Sequence, residues 1–241
     1  PYPVRSILCV PLVTDDKGIG MLVASDKISG EEFWSQELKL MRVFALEAAA
    51  SIRKAQLYEV IRALYIHTVE ALASAIDAKD PYTFGHSNRV ARFSLAICEE
   101  LGMSKEDVRQ VELAAILHDI GKIGTPESIL QKPGRLTPEE ILIIREHPAK
   151  GAQILSNISE LRDVITWIKH HHEWYDGNGY PDGIAADEIP LQSRVIAVAD
   201  SFDAMTSDRP YRKGMNTDVA IGNMEECSGS QFDPHILRTF R

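Results

Sequence analysis

No apolar run in these 241 residues approaches the roughly 20 needed to span a bilayer, so a transmembrane helix is excluded, and no signal peptide is expected. Cysteine is scarce. Cys9, Cys98 and Cys227 lie far apart with no Cys-x-x-Cys spacing, which fits unpaired thiols in a reducing compartment and a cytoplasmic protein. A basic excess is also missing: 26 Lys and Arg stand against 35 Asp and Glu, a formal charge of −9, which argues against a nucleic-acid polymer as partner. A small anionic substrate remains open if bound metal ions supply local positive charge. Nor is there a repeat, a low-complexity tract, or a serine-histidine-aspartate pattern suggesting a covalent intermediate. The 44% hydrophobic and 25% charged shares fit a soluble chain with a well-buried core.

Residues 4–13 and 19–25 are short, β-branched apolar runs separated by Thr14-Asp15-Asp16-Lys17-Gly18, which reads as a β-hairpin. Two strands alone hold no stable sheet, so the natural domain is expected to begin upstream. Proline is absent from Ser35 to Asp80, and glycine from Glu31 to Phe84, while Leu38, Met41, Phe44, Ala49, Ile52, Leu57, Ile61, Leu64, Val69 and Leu72 return at steps of three or four with some drift. One long helix, or two nearly continuous ones, is predicted. Residues 36–62 read as a parallel dimer helix carrying a signal, and 63–79 as packed in a domain core. Further on, helices are predicted at 86–101, 105–119, 138–145, 148–157, 160–172, 190–206 and 217–227, without alternating strands. The fold class is therefore mainly α: a helical bundle with a long connecting helix and a partial α/β fragment at the N-terminus.

The chemistry concentrates in a few places. His171-His172-Glu173-Trp174-Tyr175-Asp176-Gly177-Asn178-Gly179-Tyr180-Pro181-Asp182-Gly183 has the composition of a metal site beside a pocket wall. His118-Asp119 ends an apolar helix, where burial is costly unless the pair meets a metal or a partner. Lys122, three residues after Asp119, can pair with that carboxylate or reach a substrate phosphate.

The stretches "YTFGHSNRVA", "LAAILHDIGKIGTPESILQKPGRLTPEE", "EHPAKGAQIL", "HHEWYDGNGYPDG", "RVIAVADSFDAMTSDRPYRKGM" and "GSQFDP" resemble an HD-GYP domain, in the subgroup of HD phosphohydrolases similar to cyclic di-GMP phosphodiesterases. The N-terminal stretch resembles the end of a GAF sensory domain. The expected domains are a GAF-like fragment at 1–35, a connecting signalling helix at 36–65 and the phosphohydrolase domain at 66–241. The resemblance implies a two-metal centre on His86, His118, Asp119, His147, His171, His172 and Asp200, with Asp119 bridging. It also implies that Arg209 and Arg212 meet substrate phosphates and that the Gly179-Tyr180-Pro181 loop lies near the nucleotide. Tyr180 can stack on a guanine face or pack the loop. Asp119 and Lys122 are the residues expected to serve catalysis, Lys122 also as a substrate contact.

Seven ligands of mixed imidazole and carboxylate type suit two divalent ions, iron or manganese, better than a closed structural zinc site. Such a pair about 3.5 to 4 Å apart suits in-line attack on a phosphodiester. Some members hold a third metal through a glutamate four residues before the first histidine. Tyr82 stands there, so two metals are expected. Asp203, three residues after Asp200, is expected to orient a histidine or lysine. Glu173 and Asp176 are expected to fix the loop, while His67, His170 and His235 are left out of the site. The expected reaction is hydrolysis of cyclic di-GMP to pGpG, with further cleavage to GMP left open, in a homodimer joined through the connecting helix and governed by an unknown sensor ligand. A silent cyclic di-GMP receptor and a phosphohydrolase for another nucleotide are the alternatives.

Overall fold

The computed structural model describes residues 4–79, 85–208 and 213–241, and only the backbone at residues 70 and 76–79. Packing divides the chain into two units, Pro1–His67 and Thr68–Arg241, and the boundary falls within one helix.

In the first unit the two apolar runs pair as an antiparallel hairpin, β1 (Ile7–Thr14) and β2 (Lys17–Ser25), in register from Ile7 opposite Ser25 to Leu12 opposite Gly20, with a shift after Leu12. Asp15 and Asp16 close it at φ of 49° and 59°, the left-handed pair that a tight hairpin turn demands. Strand alternation turns Val10 and Leu12 to one face, where they are buried with Met41, Ala45 and Ala49 of α1 (Ser35–Lys79). The connecting element is one continuous helix of 45 residues, which settles the choice the periodicity left open. Past Ala49 its apolar residues Leu57, Val60, Ile61 and Leu64 are exposed.

The second unit is built of helices, as its punctuation predicts. They are α2 (His86–Glu100), α3 (Lys105–Leu117), α4 (Glu127–Leu130), α5 (Pro138–Arg145), α6 (His147–Leu155), α7 (Arg162–Lys169), α8 (Leu191–Thr206), α9 (Thr217–Glu226) and α10 (Pro234–Phe240). Local chemistry sets their starts: the Ser104 hydroxyl accepts from the Asp107 N–H, Thr137 and Glu140 form a reciprocal capping box, and Asp233 caps α10 ahead of Pro234. Helix α2 packs on α3 and α8, α6 on α7, and α10 against α2 and α8. Their shared core buries Val90, Ile97, Leu117, Ile168, Val195, Ile196, Met224, Phe232 and Ile236, each side chain contributing roughly 1.5–3 kcal/mol. Val69 and Ala73 of α1 join this core, as the reading of 63–79 expects.

Two expected helices are shorter than their apolar patterns. The pattern over 105–119 stops being α-helical at Leu117, and that over 160–172 ends at Lys169, so His118, His171 and His172 stand on turns. Helix α4 is a single turn, too short to show periodicity, and α10 is also absent from the sequence-based expectations.

Candidate metal centre

Three histidines stand just past helix C-termini. His118 directly follows α3, while His147 and His171 stand two residues beyond α5 and α7. Each imidazole turns back so that Nδ1 meets the carbonyl three residues earlier: Ala115 at 2.7 Å, Ile144 at 2.8 Å and Ile168 at 2.6 Å. Those carbonyls belong to last helical turns, which the helix itself leaves short of N–H donors. His86 opens α2, and its Nδ1 lies 2.7 Å from Asp203 Oδ2 instead. In His118, His147 and His171 the carbonyl makes Nδ1–H the donor, which leaves the Nε2 lone pair for a cation; His86 likewise donates through Nδ1, to a carboxylate.

These Nε2 atoms converge on two carboxylates. Asp119 Oδ2 lies 3.9 Å from His86 Nε2 and 3.5 Å from His118 Nε2, while its Oδ1 lies 3.3 Å from His147 Nε2. Asp200 Oδ1 is 3.2 Å from His86 and 3.9 Å from His118. Donor atoms of His147, His171 and His172 form one group within 4.8 Å, and those of His86, His118 and Asp119 another. A third group, His118, His171 and Asp200, spans these two, and Asp119 turns Oδ2 toward His86 and His118 and Oδ1 toward His147.

The donors fit cations better than they fit one another. His118 Nε2 is buried without a hydrogen-bond partner among the described residues. His147 and His171 bring their Nε2 atoms to 3.4 Å although both Nδ1 atoms already donate, so two lone pairs face each other. Burial holds the His147 imidazolium down at about 4 and that of His172 at about 3, and it pushes His171 well below its usual value. All three are neutral at pH 7, the form that binds metal. His86 behaves oppositely: burial disfavours its charge, but the bonds to Asp200 and Asp203 outweigh that and raise it to about 9. Burial also works against the Asp119 charge, yet Lys122 and the surrounding imidazoles keep its carboxyl well below the ordinary range.

Around this centre the other expected residues take distinct places. Lys122 Nζ sits 2.6 Å from Asp119 Oδ2, within the turn Ile120–Gly124. That turn packs backbone against backbone on α6: a Cβ on Gly121 would lie 1.8 Å from the His147 carbonyl, so glycine is required for Asp119 to meet His147. Asp203 is buried at 2% exposure, which decides against an exposed helix carboxylate, and it takes Arg89 Nε at 2.6 Å besides His86. The buried Glu173 carboxylate accepts the N–H groups of Asp182 at 2.7 Å and Gly183 at 3.1 Å and so pins the 173–183 loop. A Cβ on Gly179 would fall 2.1 Å from the Trp174 nitrogen. The Tyr180 ring leans on His172, with centroids 4.9 Å apart and planes at 31°. Asp176 accepts from the Asn178 N–H at 2.9 Å. His170 bonds Asp182 at 3.0 Å, and His67 and His235 are exposed. Tyr82, Arg209 and Arg212 lie outside the described residues.

Sequence reasoning missed Arg89, Arg145 and the three helix-end carbonyls. Arg89 carried a usable signal, standing three residues after His86 and therefore on the same helical face. Arg145, whose guanidinium carbon lies 5.0 Å from the Tyr180 ring centroid, carried none, since its partner is 35 positions away.

A helical bundle enclosing buried imidazoles and carboxylates of metal-ligating type is therefore the class that fold and site define. The HD domain family matches residues 70–236, and the chain belongs to that family; a GAF domain matches residues 1–52. The chain is 40% identical over 197 residues to the cyclic di-GMP phosphodiesterase PA4108 of Pseudomonas aeruginosa, covering 80% of this chain and 47% of that protein. It is 43% identical over 173 residues to the 3′3′-cGAMP-specific phosphodiesterase 3 of Vibrio cholerae, covering 72% and 38%. Among solved structures, the Bdellovibrio bacteriovorus HDG"Y"P protein Bd1817 shares the fold at a TM-score of 0.55 and 22% identity, over 64% of this chain and 50% of that one. The chain thus spans about half the length, or less, of these relatives.

Proposed function

We propose that this chain hydrolyses the 3′,5′-phosphodiester bonds of cyclic di-GMP to pGpG and onward to GMP. The carrying observation is the split of Asp119, one oxygen toward His86 and His118 and the other toward His147. On this reading His86, His118, Asp119 and Asp200 hold one divalent ion, and Asp119, His147, His171 and His172 hold a second, iron or manganese by the imidazole-carboxylate character of the set. When bound, such a pair supplies Lewis acidity to an attacking water and to the phosphoryl oxygens. The protein's part is to fix tautomers through Nδ1, to hold Asp119 ionised with Lys122, and to shape the nucleotide side with the Tyr180 loop. Arg209 and Arg212 are assigned to substrate phosphates on the motif resemblance. Residues 66–241 form the catalytic domain, 36–65 the connecting helix and dimer seam, and 1–35 part of a sensor whose ligand is unassigned. The free thiols support a cytoplasmic setting, and no helix among the described residues is long and apolar enough to cross a membrane.

A second substrate, 3′3′-cGAMP, is favoured by the specificity that the Vibrio relative's name carries. Protein purified without oxygen and reconstituted with iron or manganese is expected to bind two ions per chain and to turn over cyclic di-GMP faster than 3′3′-cGAMP. His118→Ala or Asp119→Ala is expected to abolish turnover with the helical circular dichroism unchanged. Fewer than two ions, or full activity in either variant, overturns the proposal; tight binding of cyclic di-GMP without products points to a receptor instead.

A further inference from the structure

The cations around the centre divide by what they already hold. Lys122 is committed to Asp119 at 2.6 Å and Arg89 to Asp203 at 2.6 Å. Lys150, on α6, pairs with Glu146 at 2.9 Å. Arg145 differs. It ends α5 two residues before His147, is exposed, and among the described residues has no carboxylate partner and no hydrogen bond. Its guanidinium rests instead over the Tyr180 ring, at 5.0 Å. Cations are favoured at helix C-termini, which accounts for a basic residue at this place but not for its reach across to the 173–183 loop. A guanidinium resting on an aromatic ring is oriented by it while the N–H edges stay available, and those edges match two phosphate oxygens at once. The ring that orients it also leans on His172, so the free edges stand beside the metal-ligating cluster.

We infer that Arg145 is a substrate-binding residue, its guanidinium held on Tyr180 and receiving a phosphate of the cyclic dinucleotide. The inference rests on the reaction proposed above and adds a contact that no matched motif supplies.

The test uses the metal-loaded full chain, with KM and kcat for cyclic di-GMP, ions per chain, and the dissociation constant of a non-hydrolysable phosphorothioate analogue measured by calorimetry. Arg145→Ala is expected to raise KM and the analogue's dissociation constant by about 10- to 100-fold, the range for losing a charge-assisted hydrogen bond. Its kcat is expected to fall less than about three-fold with two ions retained, because the residue touches neither the ligand atoms nor Asp119. Arg145→Lys keeps charge without the planar fork and is expected to fall between. Arg145→Met keeps length and packing on Tyr180 without charge and is expected to match alanine. An unchanged KM in Arg145→Ala overturns the inference, as does rescue by methionine, which would make the arginine a prop for the ring. Joint loss of kcat and metal would likewise overturn it, by assigning the residue to the centre's construction. If the wild-type chain neither cleaves cyclic di-GMP nor binds the analogue, the proposed reaction falls and this contact with it; an active wild type with an indifferent Arg145→Ala removes the contact alone.

Discussion

The two units are unsatisfied in opposite ways. In the first, a small core of Val10, Leu12, Met41, Ala45 and Ala49 leaves large apolar side chains in water, Leu46 and Leu64 among them at 64% and 66% exposure. In the second, a core of more than two dozen apolar residues surrounds imidazoles and carboxylates that lie out of water. Apolar surface in solvent is relieved by another apolar surface, and polar atoms in an apolar interior by hydrogen bonds or ions. On the reading proposed above the partners these surfaces suit therefore differ: the helix of a second copy for α1, cations for the bundle.

The largest expected effect concerns the cost of the buried polar set without metal. His147 and His172 have folded values of about 4 and about 3 against roughly 6.5 unfolded, so the fold favours their neutral forms. Their contribution is present above pH 6.5 and is lost as pH falls toward 4. His86, raised to about 9, contributes stability below pH 6.5 that is lost as pH climbs through 9. Chelated protein is therefore expected to melt highest near pH 6.5 and lower on both sides, with roughly 3 kcal/mol from His147 alone on the acid side. A melting temperature that does not change from pH 5 to 9 would erase this contrast between the units.

Next in size is the tautomer lock on His86. Asp203→Asn keeps the shape of the side chain but weakens its hold on the imidazole and on Arg89. Metal affinity is expected to fall about 10- to 100-fold, read by competition with a chelating dye, while the helical fold is kept. Unchanged affinity would mean that Asp203 only anchors Arg89. The smallest effect on chemistry is expected from the first unit. Ile61→Lys with Leu64→Lys places charge on the exposed stripe of α1 and is expected to shift the chain from dimer to monomer in light scattering, with kcat per chain within about two-fold. A monomeric wild type would remove the proposed seam.

The sequence foretold the helices of the bundle because glycine, proline and caps such as Ser104 and Thr137 punctuate them. It also named the histidines and aspartates that the structure brings together, since each stands in a long motif. It did not foretell where α3 and α7 end, because the apolar pattern runs on through Asp119 and His172 while the backbone turns away. The carbonyl locks on Ala115 and Ile168 depend on those ends and were hidden for the same reason, while that on Ile144 follows an end the sequence placed correctly. Arg145 on Tyr180 is purely tertiary and has no local pattern.

The locks make the distance between helix end and histidine a ruler. Every residue added to an α-helix rotates the downstream chain by about 100°. One residue inserted between Ala115 and His118, or between Ile168 and His171, would swing the ring off its carbonyl and point Nε2 away from Asp119. The same insertion between Gln131 and Arg135, a connection outside the regular elements, has no such lever arm. Length variation in this domain is thus forbidden over spans of three residues and permitted beside them, and a scan of single-residue insertions would draw the outline of the site without any ligand present.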